Sequence, residues 1–157
     1  MASGSLTAAN AVLLLGVTNL YSVPQQIQGF AADDIYDIPQ IRSTEVAMGV
    51  DGTLSGGFVF VPITQSITLQ ANSPSNAVFE AWWNAQQVAE DVYLGFGSIT
   101  LTSLGEKFLQ NRGFLTGYTP APPARRILQP RRYEITWNSI QPNPAATAAL
   151  VAAIGGV

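Results

Sequence analysis

The stretch LQANSPSNAVFEAWWNAQQ, residues 69–87, contains a change of period that decides the fold. Just before it, ITQSITLQA (63–71) alternates. Ile63, Ile67, Leu69 and Ala71 share one face, with Gln65 as the exception, and Thr64, Ser66, Thr68 and Gln70 share the other. A period of two is that of a strand with one buried face. Beyond Asn72-Ser73-Pro74-Ser75-Asn76 the spacing becomes helical, through Val78, Trp82, Ala85, Ala89 and Val92, with Phe79 and Trp83 widening the stripe. Ser73 is a capping residue type, and Pro74 suits a first helical position, where its missing N–H is not needed. The pattern predicts one helix from about Pro74 to Glu90, packed on a sheet through Val78, Phe79, Trp82, Trp83, Ala85 and Ala89.

Strands are expected on both sides of this unit. In TEVAMGVDGTLSGGFVFV (44–61), Asp51-Gly52 predicts a two-residue type I′ turn, because glycine accepts positive φ without cost. Gly56 and Gly57 predict a bulge or a close backbone approach. Residues 92–102 read as a strand with Ile99 and Leu101 on one face and Ser98, Thr100 and Thr102 on the other. In RRYEITWNSI (131–140), Tyr133, Ile135 and Trp137 oppose Arg132, Glu134, Thr136 and Asn138. Ala11–Val17 is a short apolar run with no Lys or Arg before it, which reads as a buried strand or packing arm and not as a secretion signal. Residues 23–37, and the Gly- and Pro-rich 105–123, read as loops. The expected fold is mainly β: a single-domain antiparallel sandwich or barrel with one flanking helix. An N-terminal arm (1–20) and an alanine-rich tail (143–157) are expected to engage in packing or subunit contacts.

Composition narrows the function. Of 157 residues, 47% are hydrophobic and only 11% charged, too apolar for a disordered chain. A surface this poor in charge favours association. The net charge of −3 argues against a dedicated nucleic-acid binder, and the lack of cysteine removes disulfides and thiolate metal sites. No run reaches the length of a membrane span, so no insertion is expected. The chain has no histidine, which excludes Ser-His-Asp and Cys-His catalysis, and its one lysine, Lys107, follows no S-x-x-K. Asp33, Asp34, Asp37 and Asp51 formally offer a carboxylate pair or a calcium loop, but loop acids of this kind are ordinarily solvated or partner-facing. Neither an enzyme nor a cofactor is expected.

The charges are segregated. Residues 1–100 hold eight acids and one base, whereas 101–157 hold two acids and six bases, four of them as Arg125, Arg126, Arg131 and Arg132. Such a split suits a head-to-tail contact between identical copies, ahead of a nucleic-acid patch on the arginines, with pairing inside one chain as the plain alternative. The candidate subunit or ring interface is therefore Asp33, Asp34, Asp37, Asp51, Gly52, Arg125, Arg126, Arg131 and Arg132. The hydroxyl- and amide-rich faces Thr64, Ser66, Thr68, Gln70, Ser98, Thr100 and Thr102 contain no cation. The ordinary reading is a solvated sheet face. The sharper one is the wall of a conduit past which a polyanion slides, since phosphate binding scales with the Lys and Arg that neutralise it.

From about Gly29 to Ile140 the chain resembles the tail tube proteins of contractile-tailed bacteriophages. The likeness lies in the order and spacing of MGVDGTLSGG, ITLQANSPSNAVFEAWWNAQ and YLGFGSITLTSLGEKFLQNRGFLTGYTPAPPARRILQPRRYEITW. It implies hexameric rings stacked into a hollow tube within the virion tail, lined by strands from every copy, through which DNA is ejected without specific binding. It also implies that the Asp51-Gly52 hairpin and the chain ends reach neighbouring subunits or rings. The implied partners are other copies of the chain, a tail sheath, a baseplate or initiator, and a tape-measure protein. The alternative from another class is a monomeric β-barrel binding a small apolar or carbohydrate ligand. A third reading is a hydrolase using the DDIYD acids.

Overall fold

The computed structural model describes residues 11–31, 35–102 and 104–143. The elements run β1 (Ala11–Val17), β2 (Tyr21–Ile27), β3 (Tyr36–Asp37), β4 (Thr44–Met48), β5 (Leu54–Phe58), β6 (Ile63–Leu69), α1 (Asn76–Ala89), β7 (Gly95–Leu101), β8 (Glu106–Tyr118) and β9 (Arg131–Pro142). Seven strands form one curled antiparallel half-barrel in the order β2-β1-β7-β8-β9-β6-β3, and β4-β5 is a separate two-stranded sheet. The mainly β fold with one flanking helix is the one its periodicities predict.

One face of the curled sheet carries the core. Leu13, Leu15, Val17, Ile67, Leu69, Ile99, Tyr133, Ile135 and Trp137 are buried there. Helix α1 lays Val78, Phe79 and Trp82 onto it, with Phe79 stacked on Tyr133 at 4.2 Å between ring centroids. Trp82 is fully buried and its indole N–H donates to Tyr93 O at 3.2 Å, so this large ring carries no unpaired donor. Trp83 is half-buried and stacks on Tyr118 at 4.9 Å. Ala85 is half-buried, but Ala89 is exposed. The last turn makes no core contact, and Glu90, at φ 51, ends the helix immediately after it.

The polar residues of the period change hold the helix in place. Asn76 is buried and satisfied: its amide nitrogen donates to Gln70 O (3.0 Å) and Ala71 O (3.3 Å), and its oxygen accepts from Tyr133 Oη (2.8 Å). Ser75 Oγ accepts from Gln28 N at 2.7 Å, and Ser73 Oγ accepts from Ser75 N at 3.2 Å. The first turn is therefore fastened to the end of β2, the end of β6 and the start of β9.

Two stretches differ from expectation. The 23–37 loop contains β3 and most of β2, whose Pro24 masks the strand pattern but is tolerated because β2 is an edge strand. The loop-rich stretch 105–123 is largely β8, thirteen residues long and the central partner of β7 and β9. Its Gly113 marks a close approach inside a strand, since an added Cβ would lie 2.5 Å from the Trp137 ring. Ala11–Val17 is the buried strand of its two readings: it lies inside the sheet between β2 and β7. No helix among the described residues is long and apolar enough to cross a membrane.

Candidate assembly surfaces

The β4-β5 hairpin pairs only with itself, and all ten of its strand residues are exposed. Val46, Met48, Leu54 and Phe58 offer apolar side chains to solvent, and just beyond them Phe60 is 90% exposed. Phe58 and Phe60 meet edge to face at 5.0 Å. A lone two-stranded ribbon is marginal in water, and an exposed apolar edge is prone to pair with another chain. The ladder runs without a register break through Gly56 and Gly57, so the expected bulge is absent; the two glycines keep a regular strand free of side chains.

The turn is not the two-residue type I′ form. Gly52 N–H donates to Gly49 O at 3.0 Å and Gly49 N–H to Thr53 O at 2.8 Å, which leaves the three-residue loop Val50-Asp51-Gly52. Gly52 takes the left-handed position at φ 84, as three-residue hairpin loops require. Asp51 Oδ1 accepts from Thr53 N–H at 3.0 Å, and this hydrogen bonding to Thr53 holds the carboxyl below its ordinary pKa. Asp51 and Gly52 thus shape the hairpin tip. Asp37 lies on β3 opposite Ser66, while Asp33 and Asp34 lie outside the described residues.

The four arginines divide. Arg131 is buried and serves its own chain: Nη1 donates to Glu80 Oε1 at 2.6 Å, and Nη2 to Thr119 O at 2.9 Å and Pro120 O at 3.3 Å. Its guanidinium carbon sits 5.7 Å and 5.5 Å from the ring centroids of Tyr118 and Tyr133. Burial works against the charge, but the hydrogen bond to Glu80 and its neighbours outweigh it and raise the pKa. At Tyr133 burial acts in the opposite direction and raises the pKa, because there the charged form is the deprotonated one. Arg131 is corrected from interface candidate to internal clamp, joining α1 and the 119–120 segment to β9. Arg125 and Arg126 are exposed. With Ala31, Thr68, Gln70 and Asn72 they line an open groove of about 860 Å³.

Opposite the helix-bearing face, the expected hydroxyl wall is only partly formed. Thr64, Thr68 and Thr100 are half-buried, and Gln70 and Thr102 are exposed just past their strands. Ser66 and Ser98 are buried. Ser66 lies beneath Arg132, whose Nη2 donates to its Oγ at 2.9 Å, and Ser98 pairs between Leu14 and Leu109. The absence of cations is also overturned: Arg132 pairs with Thr68 across β6-β9, and Lys107 with Thr100 across β7-β8. Cross-strand register brings together residues that are far apart in sequence. Arg132 stands 3.5 Å from Glu134, so its charge is locally balanced.

These surfaces can be set against known proteins. The family described as "Tail fiber protein gp32" matches residues 4–141. The chain belongs to the gp32 tail fiber family. It is therefore a phage tail or phage-tail-like structural component, more broadly defined than the tail tube likeness implied. No curated protein matches the sequence. Among solved structures, the fold is similar to a chain of the anti-feeding prophage (AFP) baseplate, with TM-score 0.57 at 7% identity, covering 90% of this chain and 97% of that one. It is also similar to a chain of the PVC sheath-tube complex of an extracellular contractile injection system in the extended state, with TM-score 0.54 at 14% identity, covering 83% and 87%. A chain of the AFP tube-terminating cap gives TM-score 0.54 at 11% identity, covering 88% and 91%.

In this gp32 family member, a second groove of about 780 Å³ runs beside the base of the hairpin. Ile41, Phe58, Phe60, Phe114, Asn138 and Gln141 are among its walls. It follows the part of β9 that β6 does not cover, because β6 pairing stops at Ile63–Trp137 while β9 continues to Pro142. Apolar side chains and an open strand edge therefore coincide there. The tip of the hairpin is legible in the sequence through Asp51-Gly52, but its flanks are not. Alternating Val46, Met48, Leu54 and Phe58 were visible, but nothing in a single chain showed that no second layer covers them.

Proposed function

We propose that this chain is a non-enzymatic subunit that assembles into hexameric rings stacked as a tail tube, a conduit for DNA ejection. The observation that carries this reading is the apolar β4-β5 hairpin, fully exposed and apart from the core. Seated on a second copy, against the apolar groove and open β9 edge at that copy's hairpin base, it would bury surface its own chain leaves wet. Such a contact is heterologous, the kind that propagates rings or filaments. The sheet supports closure across subunits, since β2 forms one edge and the two-residue β3 leaves much of β6 open at the other.

The face opposite α1 would be the conduit wall. Its Thr64, Thr68, Thr100, Thr116 and Thr136 offer hydroxyls; Arg132 is balanced by Glu134, and Lys107 beside Thr100 adds a single further cation, so only a weak net positive charge would hold phosphate. Arg125 and Arg126 remain available for an acidic surface of the next copy. A sheath, a baseplate or initiator and a tape-measure protein are the partners such a tube requires, and the virion tail its location. The similarity to baseplate and cap chains favours a second reading, a single ring that begins or ends a tube. The core cavity of about 10 Å³ is far below the size of a small-molecule site, which weighs against the ligand-binding barrel.

The test is solution mass of the native chain and of a Met48→Lys, Leu54→Lys double variant, each with a check of folding. Oligomers in the native chain that revert to folded monomers in the variant support the reading. Oligomers of unchanged size in both would remove the hairpin from the contact.

A further inference from the structure

Gln65, the polar exception on the apolar face of β6, is 1% exposed. Its Oε1 accepts from Trp137 Nε1 at 2.9 Å on β9 and from Gln110 Nε2 at 2.7 Å on β8. An indole nitrogen can only donate, so the orientation of the Gln65 amide is fixed: oxygen toward Trp137, nitrogen away. The orientation of Gln110 follows, since only its nitrogen can give a proton to that oxygen. The remaining group, Gln65 Nε2, is buried without a protein partner. Turning the amide over would bring three donors together, so the orphan cannot be removed by a flip.

A cavity of about 10 Å³ adjoins the triad, lined by Gln65, Gln110, Trp137 and apolar side chains that include Leu13, Leu15 and Ile135. That volume admits one water and little else. An unpaired buried amide costs on the order of 1–3 kcal/mol, and buried polar groups are otherwise almost always satisfied. We infer that one water molecule is a fixed part of this core, accepting from Gln65 Nε2, and that the completed triad pins β6 in register with β8 and β9.

The pin acts through alternation. A one-residue slip of β6 would send Gln65 outward and turn Thr64 and Ser66 into the core. Apolar neighbours alone tolerate related packings, whereas two hydrogen bonds and a water at a fixed depth select one. The inference stands on the core alone and does not depend on the tube reading.

The test is an experimental structure of the full chain at a resolution that shows ordered water, paired with Gln65→Met, which keeps volume and removes both amide atoms. The native core is expected to show a density peak within hydrogen-bonding reach of Gln65 Nε2. An empty cavity, or Gln65 turned out of the core, overturns the inference. In the variant, the indole and Gln110 donors lose their acceptor, so the unfolding equilibrium constant should rise by about ten-fold or more. The amides of Ile63–Leu69 should exchange correspondingly faster. Unchanged stability and exchange would overturn the pin. If Gln65→Met does not fold, the density at the native site still decides whether the water is there.

Discussion

The Trp82–Tyr133 core and the β4-β5 hairpin are built from similar residues and have opposite fates. In the core, Phe79, Trp82, Tyr133, Ile135 and Trp137 are essentially inaccessible, and both tryptophan N–H groups have acceptors. In the hairpin, Val46, Met48, Leu54 and Phe58 lie on a ribbon that no other part of the described chain covers. The ladder of the hairpin is regular and its turn well hydrogen-bonded, so it is not a failed strand pair. The contrast separates two kinds of information in one sequence. One set of apolar residues makes the subunit, and the other leaves it incomplete.

That division can be broken by substitution. Trp82→Ala empties the centre of the core and should cost about 3–5 kcal/mol in chemical denaturation, enough to threaten folding outright. Equal loss from hairpin changes would erase the distinction. Met48→Lys with Leu54→Lys should instead change subunit stability by less than about 0.5 kcal/mol while removing association, read by denaturation and solution mass on one sample. Arg125→Glu with Arg126→Glu should leave the fold intact and weaken assembly in a salt-dependent way; assembly unchanged at low salt would take both arginines out of the contact.

The smallest effect is expected at the tip. Hydrogen bonding to Thr53 lowers the Asp51 pKa in the folded hairpin. Its contribution is therefore complete above the ordinary carboxylate value of about 4 and is lost as pH falls through the lower folded value. Asp51→Asn keeps an acceptor for Thr53 N–H but should abolish that acid response in Thr53 amide exchange. A variant that retains the acid response would assign it to another group.

What was legible follows from which signals are local. Alternation in 63–71 and the helical stripe of Val78, Phe79 and Trp82 are written in consecutive residues, whereas the expected Ser73-Pro74 start is displaced: the helix begins at Asn76, with Ser75 at its N-cap and no side-chain capping bond. Strand β8 was hidden because Gly113 and Gly117 look like turn residues until Trp137, two dozen positions away, is placed over the first of them. The supposed cation-free wall failed for a similar reason: Arg132 reaches Ser66 only through the β6-β9 register. Arg131 looked like a surface charge because its partners, Glu80 and the Thr119 carbonyl, lie at separate points of the chain. The exposed flanks of the hairpin were the hardest to see, since exposure of an apolar strand depends on what the rest of the chain fails to cover.

The hairpin, in the proposed assembly, makes one copy incomplete without another. Electron microscopy of the purified full chain, alone and after seeding with a phage baseplate, tests it most directly. Rings or hollow tubes are expected in at least the seeded sample, with the hairpin of one subunit lying against the next. Folded monomers in both samples would contradict it.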